Sequence, residues 1–299
     1  SYGEVNEIIL GVGPSSDDTH QIVNELKATE PRIKIIQNPS GKTANALNAA
    51  ASIATGDYLV RVDTHCKLER DYIQQAIETM IRTGAANVGG IQKAEGTSTI
   101  QKSIAVAMTS KFGVGNSQFH YGGSEGPADT VYLGVYDAEV LRGLGGFNED
   151  LVRNQDYELN IRIRASGNTV WFDPKLIVNY SPRRSIPTLF RQYFQYGQWK
   201  RVVIKMHPSS IKVRQIAAPA LVLSLLFGLA SSLFLSIWGL GIPCIYFATV
   251  LLASLISKTN SLKERLCLLL IFPTMHIAWG FGFLFGPQQR PSNSKKPSC

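Results

Sequence analysis

"RIKIIQNPSGKTANALNAAASIATGDYLVRVDTHC", residues 32–66, decides the fold. It opens on the β-branched run RIKIIQ (32–37), turns through NPSGK, and continues as the Ala-rich TANALNAAASIA (43–54), a composition that favours helix. DYLVRVD (57–63) is strand-like again. The same order extends outward on both sides. VNEIILGV (5–12) reads as a strand, GPSSDDT as a turn with several candidate helix caps, and residues 19–28 and 71–83 as helices. Strands alternating with helices of about ten or more residues need crossovers, so an α/β fold with a largely parallel sheet is expected. Ligands of such sheets bind beyond the carboxyl ends of the strands, which points at GPSSDD, NPSGK and DTHC.

The next stretch is less regular. Residues 92–128 are rich in Gly, Ser and Thr, with a helix expected at 99–111; long, loosely patterned segments of this kind are often active-site loops or flexible segments. TVYLGVY (130–136) is strand-like, and DAEVLRGLGGF is a short helix closed by glycines. In RNQDYELNIR (153–162) Tyr157, Leu159, Ile161 and Ile163 alternate with period two, yet Gly167 as a stop signal favours a helix over 154–165. Asp156 and Glu158 sit there among Arg153, Arg162 and Arg164. The cluster fits a solvated, salt-bridged helix face. It equally fits an acid or base among cations that hold an anionic substrate.

Charge and hydropathy divide the chain of 299 residues, a length that allows one or two domains. Up to Pro182 there are 16 Lys and Arg against 21 Asp and Glu; beyond it there are 14 basic residues and one acid, Glu264. No nucleic-acid-binding motif accompanies these bases, and they alternate with long apolar runs, so anionic lipid head groups are the expected partner and nucleic acid is not. Residues 186–205 mix Leu189, Phe190, Tyr193, Phe194, Tyr196 and Trp199 with Arg and Lys, as in a helix lying in a membrane interface. From Ala217 to Ser257 there is no charge, enough for two spans of about twenty residues with a turn near GLGIP. Residues 266–286 form a third apolar run containing Pro273 and His276. Lys200, Arg201, Lys205, Lys212 and Arg214 precede the first span, and Lys258, Lys263 and Arg265 follow the second, so a two-span hairpin places both clusters on the cytoplasmic side. Three full spans would export Arg290, Lys295 and Lys296 against that rule; the number of crossings, two or three, stays open. Cys66, Cys244, Cys267 and Cys299 are scattered without a C-x-x-C, which excludes a disulfide framework and fits a reducing compartment.

Asp63 and His65, two apart at the end of a strand, point the same way if the segment stays extended, and their chemistry suits magnesium or manganese. A helix cap or a solvated loop explains the same residues. A zinc site on His65 and Cys66 is excluded by the splay of adjacent side chains and the lack of a second pair.

Taken in order, GPSSDDT, NPSGKTANALNAA, GDYLVRVDTH, DTVYLGVY, LGGFNEDLVRNQDYELNIRIRASG and QYGQW resemble the family 2 inverting glycosyltransferases of GT-A fold, most of all their membrane-bound, succinoglycan-biosynthesis group. The resemblance runs from Val5 to about Arg201 and into the apolar tail. It implies a catalytic domain over 1–182, amphipathic interface helices over 183–215, transmembrane helices over 216–287 and a polar tail over 288–299. It implies Asp156 as catalytic base, with Gln155 replacing the first acid of the family's Glu-Asp pair and Glu158 left as a face residue. Asp63, Lys42 and Asp17 would bind the donor, Asp63 and His65 a Mg2+ or Mn2+ ion, and Gly146, Phe147, Gln195 and Trp199 the acceptor. His65 stands where the second Asp of the D-x-D motif is usual. Gln198 stands where the Q-x-x-R-W motif has Arg, a departure that weakens a processive reading, with Lys200 or Arg201 as substitute cations.

The resemblance further implies a nucleotide-sugar donor, UDP-linked, and a lipid-linked or polysaccharide acceptor. The enzyme would be multi-pass in the cytoplasmic membrane, with its catalytic domain in the cytoplasm. A polyprenyl-phosphate sugar transferase and a catalytically dead membrane scaffold are the alternatives. The family opens with a strand and helix upstream of the strand at Val5, and its first loop carries an acid that GVGPSSDD lacks before Asp17. The 299 residues alone are therefore expected to bind nucleotide weakly; calorimetric titration with UDP checks this, and full-strength binding would contradict it.

Overall fold

The computed structural model describes residues 5–287. They form two compact units, one of Gly123–Val178 with the residues up to Ile91, the other of Gln92–Gly122 with the residues from Asn179 onward. The division drawn at residue 182 on composition follows chain order, whereas these units do not.

In the first unit, β1 (Ile8–Val12), α1 (Thr19–Thr29), β2 (Ile33–Gln37), α2 (Thr43–Ile53) and β3 (Tyr58–Val60) follow the expected alternation. β1 and β2 pair in parallel, Ile8 opposite Ile33 through Val12 opposite Gln37. The Ala-rich face of α2 explains how closely it lies on β1. A Cβ on Gly11 would stand 2.9 Å from the Ala46 Cβ, so neither position leaves room for a larger side chain.

β4 (Cys66–Leu68), α3 (Tyr72–Thr83) and β5 (Asn87–Ala94) come next along the chain. α4 (Thr99–Met108), α5 (Lys111–Val114) and α6 (Gln118–Tyr121) then occupy the irregular stretch, and β6 (Gly126–Pro127), β7 (Tyr132–Asp137), α7 (Ala138–Gly143), α8 (Gln155–Ala165) and β8 (Val170–Tyr180) complete the sheet and its cover. A six-stranded sheet runs β3-β7-β5-β8-β4 with β6 on β8. Its pairs β3–β7, β5–β7 and β6–β8 are antiparallel, while the parallel pairing expected from alternation is seen at β1 and β2, which form a separate two-stranded sheet. Its core is Tyr72, Ala76 and Met80 of α3 against Val88, Leu133, Val135, Leu176 and Val178.

Two irregularities of β7 position the site. Leu133 takes φ +43°, sparsely populated for a residue with a Cβ, and the Tyr72 hydroxyl donates to its carbonyl at 2.8 Å. The pairing register of β5 and β7 shifts between Val88 and Gly90, a bulge of the kind that re-aims a strand beside a site. Gly134 then lies against Asn87, whose Oδ1 would be 2.0 Å from any added Cβ. Asn87 Nδ2 donates to Asn160 Oδ1 at 2.6 Å and Asn160 Nδ2 to Thr130 Oγ1 at 2.9 Å, tying α8 to the sheet through a buried polar chain.

In the second unit α9 (Ile186–Met206), α10 (Val213–Phe234), α11 (Gly241–Ile256) and α12 (Leu262–Phe285) are long, the last three of them apolar, and α4 joins them. α12 is central, with Leu268, Ile271, Phe272, Met275 and Ala278 buried. Small residues set its crossings. A Cβ on Gly197 would stand 2.1 Å from the Trp279 carbonyl, one on Gly282 2.0 Å from that of Phe194, and one on Gly280 2.5 Å from that of Ala218. α4 reaches the start of α12, where Ser103 Oγ donates to the Glu264 carbonyl at 3.1 Å.

Three helices, Val213–Phe234, Ile237–Ile256 and Leu262–Phe285, are long and apolar enough to cross a membrane. The third continues through Pro273 without a break, as proline does in helices whose neighbours re-satisfy the freed carbonyl. α10 and α11 expose Leu223, Phe227, Leu233, Phe234, Ile245, Leu252 and Ile256. The expected polar tail over 288–299, with Arg290, Lys295 and Lys296, lies outside the described residues.

Candidate active site

β3 ends at Val60, and the chain leaves it as Arg61-Val62-Asp63. The Arg61 backbone N–H donates to Gly134 O at 3.3 Å, so the irregular edge of β7 fixes where this segment runs. Inside the protein the Arg61 guanidinium meets two carboxylates. Nε donates to Asp63 Oδ1 at 3.0 Å, Nη2 to Asp63 Oδ2 at 3.4 Å, and Nη1 to Asp156 Oδ1. Asp156 is the second residue of α8, presented by Asn154 in the left-handed region (φ +62°), a conformation Asn tolerates better than most residues. The guanidinium carbon also lies 5.9 Å from the centre of the Phe147 ring, which stands edge-on to Tyr136 at 5.7 Å.

The arrangement is asymmetric. The Arg61 side chain is 6% exposed, whereas 22% of Asp63 and 31% of Asp156 reach solvent. Burial opposes the arginine's charge, but Asp156 and then Asp63 overcome it, and the guanidinium holds its proton more firmly than usual. Asp156 is recessed among protein atoms; that burial, with Asp63 adding, raises its pKa above the ordinary carboxylate value against the pull of Arg61. A base of this kind ionises later than a surface aspartate. If Asp156 is the base, the acidic limb of kcat/KM lies above the usual aspartate range, because activity needs the ionised form and that form appears at higher pH. A limb at or below the range of an ordinary surface aspartate would contradict it.

The loop before α8 is braced from two sides. Gly145 and Gly146 have φ of +76° and +70°, and a Cβ on Gly146 would meet Asn48 Oδ1 at 2.4 Å. Asn48 of α2 pairs with Phe147 as a strand would: its Oδ1 accepts from Phe147 N at 2.7 Å and its Nδ2 donates to Phe147 O at 2.8 Å. Glu149 accepts from Asn45 Nδ2 at 2.8 Å and Asn48 Nδ2 at 2.9 Å, and Lys42 Nζ donates to the Glu149 carbonyl at 3.3 Å. From α8, Arg162 donates to Leu144 O at 2.6 Å and Gly146 O at 2.7 Å while Glu158 grips it at 2.9 and 2.8 Å.

Glu158 is therefore not a face residue: it is 1% exposed, and the charge-dense decapeptide is in part an interior network. Residues 63–66 are not extended either, since Cys66 N donates to Asp63 O at 3.0 Å and closes a turn with the exposed His65 inside it. Asp17 is exposed in the turn before α1, where hydrogen bonds from Ser15 and then Thr19 hold its pKa down at about 2. The loops after β1 and β2 lie side by side, with Pro14 Cδ 3.6 Å from where a Cβ on Gly41 would stand.

Gln195 and the buried Trp199 lie on α9 in the other unit. Gln198 Nε2 donates there to Gly286 O at 2.7 Å. Arg201 is committed to the carbonyls of Phe283 and Leu284, where it complements the carboxyl end of α12. Of the two substitute cations expected for the missing motif arginine, Arg201 thus has a structural post and Lys200 is buried. The structure thus joins Asp63 to Asp156, sets Phe147 over their shared cation, and links Gly146 and Lys42 through Asn48 and Glu149. Arg61 is the member of this cluster that sequence reasoning passed over. Its signal was a cation inside the apolar run YLVRV, which has to find a carboxylate.

A divalent ion completed by phosphate oxygens needs only one or two protein donors. Among the described residues no three His, Cys, Asp or Glu gather into a cluster, so an all-protein cage is not built here. The Asp63 carboxylate, its outer edge at solvent, and the exposed His65 imidazole fit the smaller requirement.

Residues 2–136 match the family described as Glycosyl transferase family 2. That match spans a little under half of the chain. Over 282 residues the chain is 29% identical to the succinoglycan biosynthesis protein ExoA of Rhizobium meliloti (strain 1021), covering 92% of this chain and 84% of that one. Over 207 residues it is 28% identical to the dolichyl N-acetyl-alpha-D-glucosaminyl phosphate 3-beta-D-2,3-diacetamido-2,3-dideoxy-beta-D-glucuronosyltransferase of Methanococcus voltae, covering 67% and 64%. Among solved structures it is similar to the mannosyltransferase PcManGT from Pyrobaculum calidifontis in complex with GDP-Man and Mn2+, with a TM-score of 0.57 at 16% identity over 93% and 76% of the two chains. The chain has the GT-A fold, a sheet flanked by helices.

Proposed function

We propose that this glycosyltransferase moves a sugar from a UDP-linked donor to a lipid-linked or polysaccharide acceptor at the cytoplasmic face of a membrane, with inversion at the anomeric carbon. The observation that carries the reading is the meeting of Asp63 and Asp156 on one buried guanidinium. Asp63, at the carboxyl end of β3, faces the donor. Asp156 accepts the acceptor hydroxyl proton as that oxygen attacks the anomeric carbon; the bond to the diphosphate breaks on the opposite face, and the proton passes from Asp156 to solvent. A divalent ion held by Asp63 and His65 would neutralise charge on the departing diphosphate. Lys42, beside the loop at 146–149, and Asp17, at the first loop, are assigned to the donor. Gly146 and Phe147 are assigned to the acceptor, and the motif resemblance assigns Gln195 and Trp199 to it as well.

The membrane setting is supported by three helices of spanning length. The acceptor class is supported by the similarity to a succinoglycan biosynthesis protein and a dolichyl-linked sugar transferase. Membranes carrying the protein and supplied with radiolabelled UDP-hexose test the proposal. Label is expected in lipid-linked oligosaccharide or polymer, with inverted linkage. Label confined to a monosaccharide lipid would select the polyprenyl-phosphate reaction instead, and retained configuration would remove Asp156 as base.

A further inference from the structure

We propose that Arg61 is a positioning residue for sugar transfer: one guanidinium spans the donor-side carboxylate and the base, and so sets where the base stands before any substrate arrives. The inference rests on the reading of Asp63 and Asp156 given above. The geometry separates this role from an ordinary ion pair. A pair made for charge balance needs one carboxylate, whereas here the Nε/Nη2 edge takes both oxygens of Asp63 and the remaining Nη1 reaches Asp156.

Each contact falls on a different nitrogen of a planar fork. A lysine, with its charge on a single nitrogen, cannot reproduce that span. The cation is shut away from solvent while both carboxylates keep an outer edge exposed. The inner lone pairs are thus engaged in holding position, and the outer ones face the space a substrate would enter. The guanidinium carbon stands 5.9 Å from the centre of the Phe147 ring, and Asn48 fixes the backbone of Phe147, so the cation is bounded by a braced aromatic ring as well as by the two carboxylates. Misplacing a reacting group by about 1 Å costs roughly a hundredfold in rate, which is the size of effect a positioning residue controls.

The test is steady-state kinetics of the full-length chain in membranes or detergent, with Arg61→Lys, Arg61→Ala and Asp156→Asn side by side and thermal melts of each. Arg61→Lys keeps the charge. It is expected to melt near the parent and to lose roughly a hundredfold in kcat while the donor KM stays close to the parental value. Arg61→Ala is expected to recover part of its turnover when guanidinium chloride is added at millimolar concentration, a response that a purely structural loss would not show. Parental kcat in Arg61→Lys, a loss confined to KM, or a folded Arg61→Ala indifferent to guanidinium would overturn the role. An inactive Asp156→Asn beside a fully active Arg61→Lys sinks this inference alone. An Asp156→Asn that retains turnover sinks the reading of the site, and the role of Arg61 with it.

Discussion

Asp156→Asn is expected to lower turnover by about 10²–10⁴-fold while the chain still folds and inserts. The amide has nearly the shape of the carboxylate, and its Oδ1 can still accept from Arg61 Nη1, so the contact made in the parent survives. What disappears is the capacity to take a proton. The raised pKa of Asp156 has a consequence for stability as well. A carboxyl whose folded pKa lies above its unfolded one binds its proton more readily in the folded state, and stability is lost as pH rises through that window. The neutral amide escapes that cost, so no fall in melting temperature is expected at neutral pH. Initial rates of transfer, together with thermal melts, measure both effects. Turnover close to the parent's would instead indicate a membrane scaffold or a different base.

Glu158→Ala is expected to cost about 3–5 kcal/mol, near the lower end because a quarter of its partner Arg162 reaches solvent. The carboxylate is enclosed and accepts two hydrogen bonds from one guanidinium. Removing it leaves a cation whose Nη1 and Nη2 hold the carbonyls of Leu144 and Gly146. The two glycines there sit at positive φ, one of several conformations open to glycine, and the held carbonyls help to select it. Activity should fall along with stability, since the next residue, Phe147, is the one that lies over Arg61. Glu158→Gln, which keeps the shape and one acceptor, should lose less in both. Denaturant titration and transfer rates read the series; an Ala variant as stable and as active as the parent would show that the pair is ornamental.

The parts of the fold legible in the sequence were those whose patterns had one cause. Residues 5–60 alternate legibly because β-branched residues mark β1 to β3 and Gly, Pro, Ser and Asp mark the breaks between the elements. α8 was legible only through its stop signal. Its buried set includes Gln155, Glu158 and Asn160, polar residues standing where a helix usually places apolar ones, so no 3.6-residue stripe survives. β5 and β8 escaped notice for a related reason. β5 carries Gly89 and Gly90 in its middle, where the Leu176 and Asp173 carbonyls would meet a Cβ on Gly90 at 2.0 and 2.6 Å. β8 contains Asp173 and Pro174, residue types commoner in turns than in strands; in the structure Asp173 is buried and bonded by Thr79 Oγ1 at 2.8 Å. Asp63 and Asp156 came from motif resemblance. Their bridge by Arg61 did not, because partners 95 residues apart leave no local signature.

The membership of α4 in the helical unit bears on how the enzyme can be handled. Ile104, Ala107 and Met108 are almost wholly enclosed there, and Ser103 is anchored to the first turn of α12. A fragment trimmed at Pro182 for expression without detergent would keep this segment and discard its packing partners. The greasy side of a ten-residue helix would then be bare. Such a preparation should clump or recruit surfactant, so a water-soluble version of the enzyme calls for resurfacing α4 rather than simply shortening the gene.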